Sequence, residues 1–226
     1  MDQTLLNEEI RNQVREFFKD LNQEIAVLFF GKEQGCETCA DTYQLLKEVS
    51  ELSDKIVLEK YDLEKDAAVA RRYHVDKAPG IVIAAKDGDQ ITDYGVRYAG
   101  IPAGHEFSSL IHDFLLVSSR DSGLSQRTRE LLKKVNQPVL LQVFVTPSCP
   151  YCPRAVVLAH QMAMEHPLIE SEMVEAIEFP ELSERFGVSG VPQTTINEGA
   201  GTIIGAVPEE HLLAEILRVA GKKAEV

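Results

Sequence analysis

Two spaced motifs occur twice in this chain, and no other feature restricts its fold as much. Cys36-Glu37-Thr38-Cys39 recurs as Cys149-Pro150-Tyr151-Cys152, 113 positions later. Tyr73-His74-Val75-Asp76-Lys77-Ala78-Pro79 recurs as Phe186-Gly187-Val188-Ser189-Gly190-Val191-Pro192, again displaced by 113. Asn22-Gln23 before an apolar run matches Asn136-Gln137 before another, displaced by 114, so the first copy has one residue more ahead of its cysteines. Two cysteine pairs can coincide by chance, but not with an aromatic-x-Val-x-x-x-Pro at a fixed distance behind each, so the pattern marks a duplication. The 226 residues then divide into two units of about 110, residues 1–117 and 123–226. They meet near Ser118-Ser119-Arg120-Asp121-Ser122-Gly123, a polar stretch suited to a linker.

Each unit repeats one hydrophobic rhythm. In the first, residues 25–30 form a short continuous apolar run of the kind a buried strand shows, and 42–52 carry apolar positions at helical spacing. The cysteines therefore fall between strand and helix. Strands are expected over 56–61, 80–85 and 92–98, with helices over 64–73 and 105–117. The second unit follows with strands over 139–145, 170–174, 193–197 and 201–207 and helices over 154–164, 180–186 and 209–219. Strands alternating with helices and ending in a hairpin predict an α/β protein of two tandem units, each a mixed central sheet flanked by helices.

Composition narrows the partners. With 44% hydrophobic and 26% charged residues the chain can bury a core. A net charge of -13 leaves no cation surplus for nucleic acid, and Lys222-Lys223 do not change that. The acidic start, Met1-Asp2-Gln3-Thr4-Leu5-Leu6-Asn7-Glu8-Glu9, lacks the basic and apolar regions of a secretory signal, and no apolar run suggests a membrane span. A cytoplasmic protein with neither nucleic-acid nor membrane partner is expected. In that compartment four cysteines point to catalysis or metal binding rather than a structural framework.

A Cys-x-x-Cys where a helix begins has a specific chemistry. The unsatisfied backbone donors of the helix N-terminus favour thiolate at the first sulfur. The second lies one turn along and can resolve a mixed disulfide. Cys36 and Cys149 are expected as nucleophiles, Cys39 and Cys152 as resolving partners. Glu37 places a carboxylate beside Cys36 and should leave that disulfide less oxidising, whereas Pro150 and Tyr151 add no charge, so the Cys149 site is expected to be more oxidising and more active. Pro79 and Pro192 each lie 40 residues behind their unit's second cysteine, and on spacing alone either peptide isomer is open.

These residues resemble a known family. A Cys-x-x-Cys between strand and helix, with Ala78-Pro79 or Val191-Pro192 about 40 residues later, resembles the thioredoxin fold. Cys149-Pro150-Tyr151-Cys152 behind Val145-Thr146-Pro147-Ser148 is similar to the glutaredoxin active site. The tandem is similar to the protein disulfide oxidoreductases of hyperthermophiles over nearly its whole length. The resemblance implies two thioredoxin folds and a thiol-disulfide exchange enzyme that reduces, oxidises or isomerises protein disulfides. It implies cis peptides at Pro79 and Pro192, with the backbone of Ala78 and Val191 pairing with an extended substrate strand. It also implies a thioredoxin reductase-type electron donor and no cofactor beyond the redox-active disulfides Cys36-Cys39 and Cys149-Cys152. Some positions depart from thioredoxins proper. Gly35 and Ser148 stand where a tryptophan precedes the first cysteine, and Phe30 and Val143 where a buried aspartate serves the resolving cysteine, which leaves Glu33, His160 or a water as proton acceptor. Gly199-Ala200-Gly201 replaces the Gly-Gly turn of glutaredoxins, against a dedicated glutathione site.

Two other classes stay in view. One zinc could join both cysteine pairs, but zinc ribbons place theirs roughly 15 to 20 residues apart, whereas 110 positions separate Cys39 from Cys149. A non-catalytic binding module would not need two complete pairs. His74, His105, His112, His160, His166 and His211 show no ligand spacing, so no metal is expected. The acidic run from Glu170 to Glu178 reads as a solvated face, and Tyr94 and Tyr98 as packing.

Overall fold

A computed structural model of the chain describes residues 4–221; residues 1–3 of the acidic start and the Lys222-Lys223 pair lie outside the described residues. The first half contains α1 (Glu8–Phe18), β1 (Ile25–Gly31), α2 (Cys39–Ser50), β2 (Ile56–Asp62), α3 (Ala67–Arg72), β3 (Gly80–Asp87), β4 (Gln90–Ala99) and α4 (Glu106–Ser119). The second contains α5 (Gln126–Leu132), β5 (Val139–Val145), α6 (Cys152–Glu165), β6 (Ile169–Glu175), α7 (Pro180–Arg185), β7 (Gln193–Ile196), β8 (Gly201–Ile204) and α8 (Glu209–Ala220). Each half is the α/β unit expected from the repeat.

β1 is buried at every position and sorts its side chains by pleat. Ile25, Val27 and Phe29 enter the larger core beneath α1, α2 and α4, while Ala26, Leu28 and Phe30 pack against Ala70 and Tyr73 on the α3 side. It pairs parallel with β2 and antiparallel with β3. β5 does the same with β6 and β7, so the duplication is visible in the ladder itself.

The halves share one sheet of eight strands, in the order β2-β1-β3-β4-β6-β5-β7-β8. They meet where β4 runs parallel to β6, from Val96 opposite Ser171 to Ala99 opposite Val174. Gly95 stands at the start of that seam with φ +78, and a Cβ there would come within 2.8 Å of the Ile169 carbonyl oxygen. The larger core runs without a break from Leu6 to Ala220 on the face that carries α2 and α6.

Two expectations are corrected. The connection between the halves starts later than Ser118: α4 continues through Ser119, Ser118 is fully buried with its Oγ donating to the Gln23 carbonyl (2.6 Å) and accepting from the Gln23 amide (2.9 Å), and residues 121–125 form the irregular link to α5. The Glu170–Glu178 run is not a solvated face either. β6 is an inner strand, so Glu172 and Glu175 are buried, and Glu172 is held by Lys77 at 3.1 Å and by Gln142 at 3.0 Å. Among the described residues no helix is long and apolar enough to cross a membrane.

Candidate active site

The four cysteines are joined within their own motifs, Cys36 to Cys39 and Cys149 to Cys152, each pair with Cα atoms 5.5 Å apart. α2 begins at Cys39 and α6 at Cys152, so the first cysteine of each pair lies in the turn ahead of a helix N-terminus, where backbone donors point outward. Cys152 is fully buried, Cys39 and Cys149 nearly so, and Cys36 is half-buried. The first site is therefore the more open of the two. Among the described residues no group of three or more His, Cys, Asp or Glu could hold a metal.

The Ala78-Pro79 and Val191-Pro192 peptides are both cis. Sheet register brings them to the cysteines: Gly80, directly after Pro79, faces Phe30 at the end of β1, and Gln193, directly after Pro192, faces Phe144 near the end of β5. Each proline carbonyl accepts an equivalent hydrogen bond, Pro79 from the Gly100 amide at 2.9 Å and Pro192 from Gly205 at 2.8 Å. Among the described residues nothing hydrogen-bonds to the backbone of Ala78 or Val191.

A polar cluster that the sequence reading missed lies under the second site. The His105 amide donates to the Pro147 carbonyl at 2.9 Å, tying the start of α4 to the loop that carries Cys149. The approach is so close that a Cβ on Gly104, at φ +61, would meet the Pro147 oxygen at 2.3 Å. Farther along, His160 Nδ1 lies 2.6 Å from Asp113 Oδ2, and its Nε2 lies 3.1 Å from the Arg97 carbonyl. Tyr98, buried beside them, donates its hydroxyl to Asp113. α4 and α6 thus run side by side in the same direction. Asp113 is seven residues past Glu106 and His160 eight past Cys152, which sets Glu106 at the level of the Cys152 turn.

Glu106 is 1% exposed. Its Oε2 accepts from Ser109 Oγ at 2.6 Å, and its Oε1 has no hydrogen-bond partner among the described residues. Burial pushes its carboxyl up to about 7, opposed by the Ser109 bond and assisted by the charge of Asp113. Burial and Asp113 likewise hold the Tyr98 hydroxyl well above its ordinary range. Of the earlier candidates for proton acceptor, Glu33 is exposed and pairs with Lys65, and His160 is committed to Asp113 two turns below the cysteines.

Helix-capped vicinal cysteines beside a proline-led strand define a thiol-disulfide oxidoreductase of the thioredoxin fold. A sequence model described as thioredoxin domain matches residues 139–218. The crystal structure of a protein disulfide oxidoreductase from Aeropyrum pernix k1 superposes with a TM-score of 0.87 at 33% identity, covering 96% of this chain and 94% of that one. A structure of the alkylhydroperoxide reductase AhpF from Enterococcus faecalis superposes with a TM-score of 0.85 at 27% identity, covering 95% of this chain and all of that one. The chain belongs to the protein disulfide oxidoreductase family, as the sequence resemblance implied. It is also 26% identical over 213 residues to the "NADH dehydrogenase" of Bacillus subtilis (strain 168), covering 94% of this chain. It spans 38% of that protein's length.

Proposed function

We propose that the chain exchanges dithiols with disulfides of protein substrates through two separate centres. Cys36 and Cys149 act as nucleophiles and Cys39 and Cys152 as resolving cysteines, in units covering residues 1–117 and 123–226. The observation that carries this reading is the coincidence, twice, of a helix-start cysteine pair with a neighbouring strand entry whose preceding backbone is unengaged. An extended substrate segment can hydrogen-bond to Ala78 or Val191 there, as an added strand does at a sheet edge.

In the reducing direction the first thiolate attacks one sulfur of the substrate disulfide. A mixed disulfide forms, and the other substrate sulfur leaves as a thiolate that takes up a proton. The second cysteine loses its proton to a base and attacks the first cysteine's sulfur. This closes the enzyme disulfide and releases the substrate's remaining thiol, so two electrons have passed to the substrate. Oxidation of a substrate dithiol is the same path reversed. At the second site Glu106 is the base for Cys152: it is buried, has an oxygen without a partner, and its carboxyl titrates near neutrality.

A thioredoxin reductase-type protein returns the chain to its dithiol form. Staphylococcus aureus relatives named for alkyl hydroperoxide reductase, in which a stretch like this chain is 34% of a longer polypeptide, support a reductase donor docking at these sites. The test is reduction of insulin by dithiothreitol. The chain should accelerate it, the Cys36→Ser/Cys149→Ser double variant should not, and each single variant should retain one centre's share. Equal rates for the wild type and the double variant would leave a thioredoxin-fold binding module as the reading.

A further inference from the structure

The two redox motifs differ in what surrounds their helix starts. Thr38 occupies the N-cap position of α2 but makes no side-chain cap; its hydroxyl is donated instead to Glu178 of the second half. The other oxygen of that carboxylate accepts the Ile101 amide at 2.7 Å, and the Glu178 amide donates to Glu175 Oε2, also at 2.7 Å. Glu178 is half-buried and held from three sides, between the two cysteines' own turn and the segment that follows β4. Asp41 adds a second acid in the first turn of α2, whereas the first turn of α6 has none. Glu37, inside the first motif, is exposed, so water screens its charge.

We infer that Glu178 is a positioning residue that sets the reduction potential of the Cys36–Cys39 pair from the opposite half of the molecule, and that it is the main source of the inequality between the two centres. A thiolate at Cys36 needs the positive potential of the α2 N-terminus. A fixed carboxylate at the N-cap cancels part of that potential and disfavours the thiolate. Whatever disfavours the reduced form favours the disulfide, so the first centre becomes the poorer oxidant. Among the described residues no carboxylate hydrogen-bonds to the N-cap of α6: Tyr151 there is exposed and makes no cap bond, and Glu106 accepts from Ser109 instead. The second half of the chain thus poises the first, and the first unit would not keep its potential on its own.

This rests on the dithiol-disulfide reading of Cys36–Cys39, and the experiment separates the two. The full-length chain is equilibrated in glutathione buffers of graded ratio and alkylated, and each motif's peptide is weighed separately, for wild type, Glu178→Gln and Thr38→Val. Glutamine removes the charge, keeps one acceptor oxygen for the Ile101 amide, and turns its NH2 to Thr38 Oγ, which then accepts rather than donates. The expected result is an equilibrium constant for the first pair about tenfold more oxidising in E178Q, which is about 30 mV for a two-electron couple. The alkylation pKa of Cys36 should fall with it, the second pair should stay unchanged, and T38V should shift the first pair less than E178Q. An E178Q midpoint equal to wild type overturns the inference, as does an equal shift at both pairs, which would reflect general loosening. A first pair that never titrates, in wild type as well, overturns the functional reading instead.

Discussion

The His105 amide donates to the Pro147 carbonyl at 2.9 Å, so the helix that closes the first half is fastened to the loop that holds Cys149. Glu106 follows His105, and the helix offsets set it at the level of the Cys152 turn. The reverse contact, Thr38 to Glu178, brings a carboxylate of the second half to the first half's motif. Each cysteine-bearing loop is thus hydrogen-bonded from the other repeat.

If Glu106 takes the proton of Cys152, replacing it with glutamine slows resolution without touching the first attack. The rate of the second centre, measured in a Cys36→Ser/Cys39→Ser background, should fall by about a hundredfold at neutral pH. Mixed disulfide with substrate should accumulate, and the wild-type rise in rate between pH 6 and 8 should flatten. An unchanged resolution rate in quenched-flow samples excludes Glu106 as the base.

The same carboxyl ties stability to pH. Its ordinary value is 4.5 and the fold raises it to about 7, so the native state binds the extra proton between those values. Its contribution is fully present below about 4.5 and is lost as pH rises through about 7. The loss amounts to roughly 3 kcal/mol. Glu106→Gln should therefore gain on wild type in thermal unfolding as pH goes from 5 to 8. A difference in Tm that stays constant over that range contradicts the assignment.

His160 and Asp113 are both fully buried and hold each other at 2.6 Å. Among the described residues, His160→Ala leaves the buried Asp113 carboxyl with the Tyr98 hydroxyl as its donor. Removing one partner of a buried hydrogen bond costs about 1–3 kcal/mol. Urea unfolding of the oxidised chain measures it; a loss below about 1 kcal/mol means the site relaxes by admitting water.

Gly95 permits the seam between the halves. Gly95→Val puts a β-branched residue at φ +78 and drives its Cβ against the Ile169 carbonyl. A cost of about 2 kcal/mol or more is expected, with hydrogen exchange rising first in β4 and β6. Exchange that rises only at the outer strands contradicts a tight seam.

The sequence made the repeated pattern readable because the strands at the centre of each half are short apolar runs with motifs at fixed offsets. β5 occupies the same residues, 139–145, in the reading and in the structure. α1 and α5 escaped because each has few buried positions; the signs were their caps, Asn7 accepting the Ile10 amide and Ser125 accepting the Thr128 amide. The seam escaped for a different reason. Pairing of β4 with β6 is a long-range choice that local periodicity does not encode, and it turned the acids of β6 from an apparent solvated face into buried groups. The cysteines and prolines were legible because their chemistry is local in sequence. Glu106 and Glu178 were not, since each acts on a motif in the other repeat.

The most direct test of the central claim is the rate of insulin disulfide reduction by dithiothreitol with wild-type chain and with the Cys36→Ser/Cys149→Ser variant. The wild type should catalyse the reaction and the variant should leave it at the uncatalysed rate. Equal rates for the two would contradict it.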